Sequence, residues 1–128
     1  MKVEVSSAVE ELRRQFVGAT VTADEDGQGG AHVFIEPIDL GPRFAPNATW
    51  FGFQIPAQYP YADVYPVFMS ADVRRCDGVA FVAPVTNGHA FQGRPAIQIS
   101  RRSAAAQAGA QTATAKILKV LDFLRKLQ

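Results

Sequence analysis

Trp50 to Ser70 reads WFGFQIPAQYPYADVYPVFMS, an order of residues that predicts two strands joined by a proline-pinned loop. From Trp50 to Ile55 the chain alternates. Phe51, Phe53 and Ile55 are assigned to one face, Trp50, Gly52 and Gln54 to the other. Pro56 ends the run, and Tyr59-Pro60 and Tyr65-Pro66 follow. Proline fixes its own φ and drives the preceding residue toward extended geometry, so both pairs are expected to be rigid extended or turn dipeptides. Val67 to Met69 resumes an apolar run. A loop with this many tyrosines and prolines is costly to expose, so it is expected to pack on the domain.

Upstream, Thr20–Ala23 and Ala31–Ile35 are rich in strand-favouring residues. The glycine-rich DEDGQGG between them predicts a hairpin. Pro37–Asn47 contains Pro37, Pro42 and Pro46 and reads as a loop. Ser7–Phe16 reads as a helix: Ser7 and Glu10 have capping-box spacing, Val9, Leu12 and Phe16 share a face, and Gly18 is a stop. Downstream, Tyr65–Ser70 is the fourth strand and Ala71–Gly93 is irregular. Within it Val79–Val82 reads as a short strand, and Thr86-Asn87-Gly88-His89 as a turn by composition. Pro95–Ile99 is apolar but short. AAAQAGAQ, Ala104–Gln111, fits a flexible loop or a weak helix, and Gly109 favours the loop. Thr112–Leu127 is the clearest helix, with Ile117, Leu118, Leu121, Leu124 and Leu127 as its apolar stripe and Thr112 or Thr114 as cap. Lys116 and Lys119 fall off that stripe, while Arg125 and Lys126 suit the negative helix end. The expected fold is α+β: an N-terminal helix, a four-stranded antiparallel meander, an irregular segment and a C-terminal helix, in one domain over residues 1–128.

The totals fit that size. The chain has 128 residues, 48% hydrophobic and 20% charged, enough for one real core. A formal charge of +1 gives no global field favouring nucleic acid or an anionic membrane. No apolar run approaches the roughly 20 residues of a membrane span. MKVEVSSAVEELRR has no apolar core of a secretory signal. Cys76 is the single cysteine, so neither an intrachain disulfide nor a cysteine-rich metal site is possible. A cytoplasmic protein without metal or cofactor is the expectation.

An aromatic strand, a Tyr-Pro pair, a second proline and an apolar strand, set between two helices, resemble the ubiquitin-conjugating enzyme superfamily, which includes catalytically dead variants and RWD domains. The second proline follows six residues after the first, longer than the usual conjugating-enzyme spacing and nearer the RWD style. The resemblance covers most of the chain. It implies that Gly93-Arg94-Pro95-Ala96-Ile97-Gln98-Ile99 corresponds to the family's Gly-x-Ile/Val-Cys-Leu-x-Ile/Leu segment. The family cysteine takes the ubiquitin C-terminus as a thioester, which requires a thiolate nucleophile that also leaves easily. Ala96 stands at that position and no neighbour is cysteine. The family's His-Pro-Asn tripeptide, whose asparagine stabilises an oxyanion, has only Asn87-Gly88-His89 to answer it, nine and seven residues before Ala96 and in another order. An ordinary glycine turn with flanking polar side chains is the plain reading of that cluster, and a degenerate remnant of the site is the alternative. The tryptophan that usually follows the cysteine is absent, Trp50 lying in a strand.

The resemblance therefore implies a non-catalytic binding module or adaptor. Its expected partners are a ubiquitin-like protein, the conjugation enzymes, or another copy of the chain. Contact surfaces are expected on the first helix (Glu10, Arg13, Arg14), on the Tyr-Pro loop (Tyr59, Tyr61, Tyr65) where the tyrosines are exposed, and on the hairpin's sheet face. Two alternatives stand beside it. One is an atypical active enzyme using Cys76, whose neighbours Arg74 and Arg75 favour a thiolate while Asp77 does not; a packing cysteine is the plain reading. The other is a structural subunit unrelated to ubiquitin-like proteins. Other chemistries have less support. His32 and His89 are too few for a metal site. Ser100 and Ser103 near His89 lack a nucleophile elbow. Gly27, Gly29 and Gly30 fit a turn and not a phosphate loop. Arg74-Arg75 and Arg101-Arg102 read as solvated surface or as a basic patch.

Overall fold

A computed structural model describes residues 1–102 and 112–128. The reading of Ala104–Gln111 lies outside the described residues. The first helix, α1 (Val3–Gln15), buries Val5, Ala8, Val9 and Leu12, the i, i+3, i+4, i+7 set of one face. It begins four residues before the Ser7 expected from the capping box. Lys2 is its N-cap and no side chain caps it; the Lys2 amide instead donates to Gly29 O at 2.9 Å. Burying Val5 completely extends the helix past the local signal. The last helix, α2 (Ala113–Arg125), is capped as expected, with Thr112 Oγ1 accepting from the Ala115 amide at 3.0 Å.

Between the helices run β1 (Thr20–Glu25), β2 (Ala31–Asp39), β3 (Phe44–Ala45), β4 (Ala48–Ile55), β5 (Val67–Ser70), β6 (Arg74–Arg75), β7 (Val85–Phe91) and β8 (Arg94–Ile99). The expected four strands correspond to β1, β2, β4 and β5, which do lie side by side in that order. The sheet then continues. It has six strands, ordered β1-β2-β4-β5-β8-β7, with every pair antiparallel. β3 and β6 form a separate two-stranded ribbon. The Pro37–Asn47 loop is thus only partly a loop: β2 runs through Pro37 with a register shift between Ile35 and Ile38, and Phe44–Ala45 pair with Arg75 and Arg74.

Ala71–Gly93 holds the largest corrections. Val79–Val82 is not a strand; Val79 and Val82 are exposed and have no strand partner. Thr86-Asn87-Gly88-His89 is not a turn but a bulge inside β7. Thr86 pairs with Gln98 and His89 with Ala96, so β7 carries one residue more than β8 there. Gly88 takes φ +86°, which is why glycine serves a bulge as readily as a turn. β7 and β8 meet through the two-residue loop Gln92-Gly93, both at positive φ, the backbone of a tight type I′ hairpin. β8 enters the sheet between β5 and β7 because Ile97 and Ile99 face the core, whereas polar β7 suits an edge.

One core binds these elements. The inner residues Val33, Ile35, Phe51, Phe53, Ile55, Val67, Met69, Ile97 and Ile99 pack with α1 and with Ile117, Val120, Leu121 and Leu124 of α2. Both helices therefore cover one sheet face, the layered α+β arrangement. Leu118 is exposed, and Val120 takes the place assigned to it in the stripe. Lys116, expected off the stripe, is 3% exposed within it.

Candidate functional site

The outer sheet face carries a second, smaller cluster. β4 alternates as its sequence predicts, so Trp50 and Gly52 point away from the helices. Trp50, Phe91 and Ala96 are buried there, with Phe34 and Phe68 packed against them. Gly52 lies opposite Phe34 and Phe68 in the sheet register. The ring of Phe91 fills the space above Gly52, stacked on Phe68 at 4.9 Å and tilted against Phe34 at 5.3 Å. Arg94 lies over the cluster, 4.1 Å from the Phe34 centroid and 5.3 Å from that of Trp50, and its guanidinium faces Glu36 at 3.5 Å.

Ala96, the residue that the sequence resemblance sets against a family cysteine, sits in this cluster at 1% exposure. His89 is its cross-strand partner, so the two are close although seven residues apart. The bulge turns Thr86 and His89 to the same face, and Thr86 Oγ1 and His89 Nε2 are 2.9 Å apart. Asn87 is exposed at the bulge. The arrangement offers a methyl group, an imidazole held by a hydroxyl and an outward amide. The methyl of Ala96 itself offers no nucleophile.

Cys76 lies elsewhere, just after β6. It is exposed, its amide donates to Arg43 O at 2.9 Å, and its thiol is 3.5 Å from Pro42 O. A cavity of about 370 Å³ opens beside it, lined by Arg43, Phe44, Arg75, Asp77 and Leu127. Arg75 is turned from the thiol to Asp77, donating through Nε at 3.2 Å and Nη2 at 2.8 Å. Those bonds, with one from the Val79 amide, hold the Asp77 carboxyl below the ordinary carboxylate value.

The three tyrosines separate. Tyr59 is 8% exposed and its hydroxyl accepts from the Ala113 amide at 3.0 Å, so it is core and not contact surface. Tyr65 is half-buried beneath Arg102, whose guanidinium lies 4.0 Å from the ring centroid. Tyr61 is 74% exposed. The loop that carries them is pinned by Asp63, both of whose carboxylate oxygens accept from buried Lys116 Nζ at 3.1 and 3.0 Å; the same ammonium donates to Arg101 O. Lys116 lies between Ala113 and Val120 on the buried face of α2, although the sequence sets it off the apolar stripe.

On α1, Glu10 and Arg13 form an exposed i, i+3 pair, and Arg13 also donates to Val21 O on the edge strand β1 at 3.3 and 3.2 Å. Glu10 and Arg14 border a shallow depression with Met1, Val3 and Ser6. Among the described residues no group of three or more His, Cys, Asp or Glu is placed to hold a metal ion, and no helix is long and apolar enough to cross a membrane. No protein-family model, no curated protein and no solved structure matches the chain.

Proposed function

We propose that the chain is a non-catalytic member of the ubiquitin-conjugating superfamily that works in the cytoplasm by binding a ubiquitin-like protein or the enzymes that conjugate one. Ala96 carries the reading. The position matched to the nucleophile is a buried methyl packed under Trp50 and Phe91, and a fold can keep its surfaces when its nucleophile is gone. The order helix, hairpin, aromatic strand, Tyr-Pro loop and apolar strand supports the same reading. The β7–β8 hairpin is where the sheet extends beyond the four-strand meander that the resemblance implies. Tyr61 is the aromatic anchor left for a partner, because Tyr59 and Tyr65 are engaged within the domain.

A charging assay tests the proposal. The protein is mixed with ATP and with the activating enzymes and ubiquitin-like proteins encoded beside it, as wild type and Cys76→Ser, with and without reductant. The expected outcome is no reductant-sensitive adduct, with the ubiquitin-like protein or its enzymes retained on the immobilised chain. Tyr61→Ala is expected to weaken that retention about tenfold, a typical loss for an interface aromatic. An adduct that vanishes in Cys76→Ser overturns the proposal and makes Cys76 the nucleophile. Neither adduct nor retention leaves a structural subunit.

A further inference from the structure

Arg101 and Arg102 lie beyond the end of β8, and the last three turns of α2 run beside them. Together they enclose an open groove of about 690 Å³. Phe123 and Leu127, with buried Val120 beneath them, provide its apolar part, and Arg101, Arg102, Lys119, Asp122 and Lys126 its exposed charges. The guanidinium of Arg101 lies 4.6 Å from the Phe123 centroid, and that of Arg102 4.0 Å from the Tyr65 centroid. Stacking fixes the plane of each guanidinium and leaves its N–H edge for a ligand.

The charge is unbalanced. Lys116 is committed to Asp63, and Lys126 to Asp122 at 3.0 Å. Arg101, Arg102 and Lys119 have no ion pair among the described residues. The sequence of residues 103–111, SAAAQAGAQ, contains no carboxylate that could supply one. Arg74 and Arg75 do not contribute, since they lie on the β3–β6 ribbon.

We infer that this groove binds an acidic peptide segment, with carboxylates on Arg101, Arg102 and Lys119 and an apolar side chain on Phe123 and Leu127. Cations spread along an apolar floor match several separated carboxylates. A compact phosphate is matched instead by donors converging on one point, often at a helix N-terminus. Here the α2 Ala113 amide, at the helix N-terminus, is already bonded to Tyr59. The inference does not depend on the ubiquitin-related reading.

The test is fluorescence anisotropy of the full chain with a fluorescein-labelled peptide Asp-Glu-Leu-Glu-Asp. Saturable binding is expected, falling as salt is raised from about 50 to about 300 mM. Charge reversal by Arg101→Glu with Arg102→Glu, or by Lys119→Glu alone, is expected to weaken it at least about tenfold. Arg74→Glu is expected to leave it unchanged. Lys119 is exposed and has no side-chain hydrogen bond or ion pair among the described residues, so its variant keeps the test valid if the arginine variants unfold in a circular-dichroism melt. Absence of saturable binding overturns the inference. So does equal affinity for Asn-Gln-Leu-Gln-Asn, or indifference to Lys119→Glu. Displacement by pyrophosphate at concentrations below those of the unlabelled peptide would assign the groove to a compact anion instead.

Discussion

Gly52 has no side chain in a strand where every neighbour is large, and the reason lies above it. A Cβ at this position would come within 2.7 and 2.8 Å of the Phe91 ring and 3.0 Å of Trp50. Real Cβ contacts are longer than this, so the ring would have to leave. Gly52→Ala is therefore expected to cost about 1–3 kcal/mol, the usual range for overpacking. Trp50 should report it, because its emission will shift to the red as Phe91 lifts and water reaches the cluster. An unchanged Trp50 spectrum with unchanged stability would show that Phe91 does not pack on Gly52. The alternation around Gly52 was legible in the sequence, but its partner was not. Phe91 is 39 residues away, and nothing local marks it as the residue that fills the space.

At the scale of elements, helices and turns diverged from their local signals for identifiable causes. The Ser7–Glu10 spacing was a good capping signal, yet α1 begins at Val3 because Val5 joins the core. Tertiary burial outweighs a cap worth about 1 kcal/mol. Asn87-Gly88-His89 had turn composition, yet β8 holds it as a bulge, since a positive-φ glycine satisfies both. The start of α2 was read correctly, and the structure adds a second tie there. Tyr59 accepts from the Ala113 amide, fastening the Tyr-Pro loop to the first turn of the helix. Burial of Tyr59 raises its hydroxyl above the ordinary value of 10.0, with the Ala113 bond acting in the opposite direction. The folded state thus holds this proton more tightly than the unfolded chain does. The resulting stability is fully present below pH 10 and is lost as pH rises through the folded-state value. Urea melts from pH 8 to above pH 10 should show an alkaline loss that is smaller in Tyr59→Phe. Equal losses in both proteins would place the alkaline sensitivity elsewhere.

For the whole molecule, Lys116 is the junction of three regions. Its ammonium joins α2 to Asp63 in the Tyr-Pro loop and to Arg101 O at the end of β8. The pair is almost dry, with 4% and 10% of the two side chains exposed. Removing one member of a buried pair leaves the other charge poorly compensated, which typically costs about 3–5 kcal/mol. Lys116→Met is expected to destabilise the fold by about that amount. Lys116→Met with Asp63→Leu should recover part of the loss, because an apolar pair needs no charge compensation. Chemical denaturation of the three proteins measures it, and a single variant as stable as the wild type would remove Lys116 from this role.

The sequence by itself determined the local alternation of β4, the β1–β2 hairpin, the capped start of α2 and the α+β class, because each rests on contacts between near neighbours or on the period of a buried face. Only the tertiary structure decided that β8 enters between β5 and β7, that Lys116 is buried and Tyr61 exposed, and that Arg101, Arg102 and Lys119 share one groove. These depend on pairings across long loops, where strand order and salt-bridge choice follow from which surfaces meet and not from any residue's own preference.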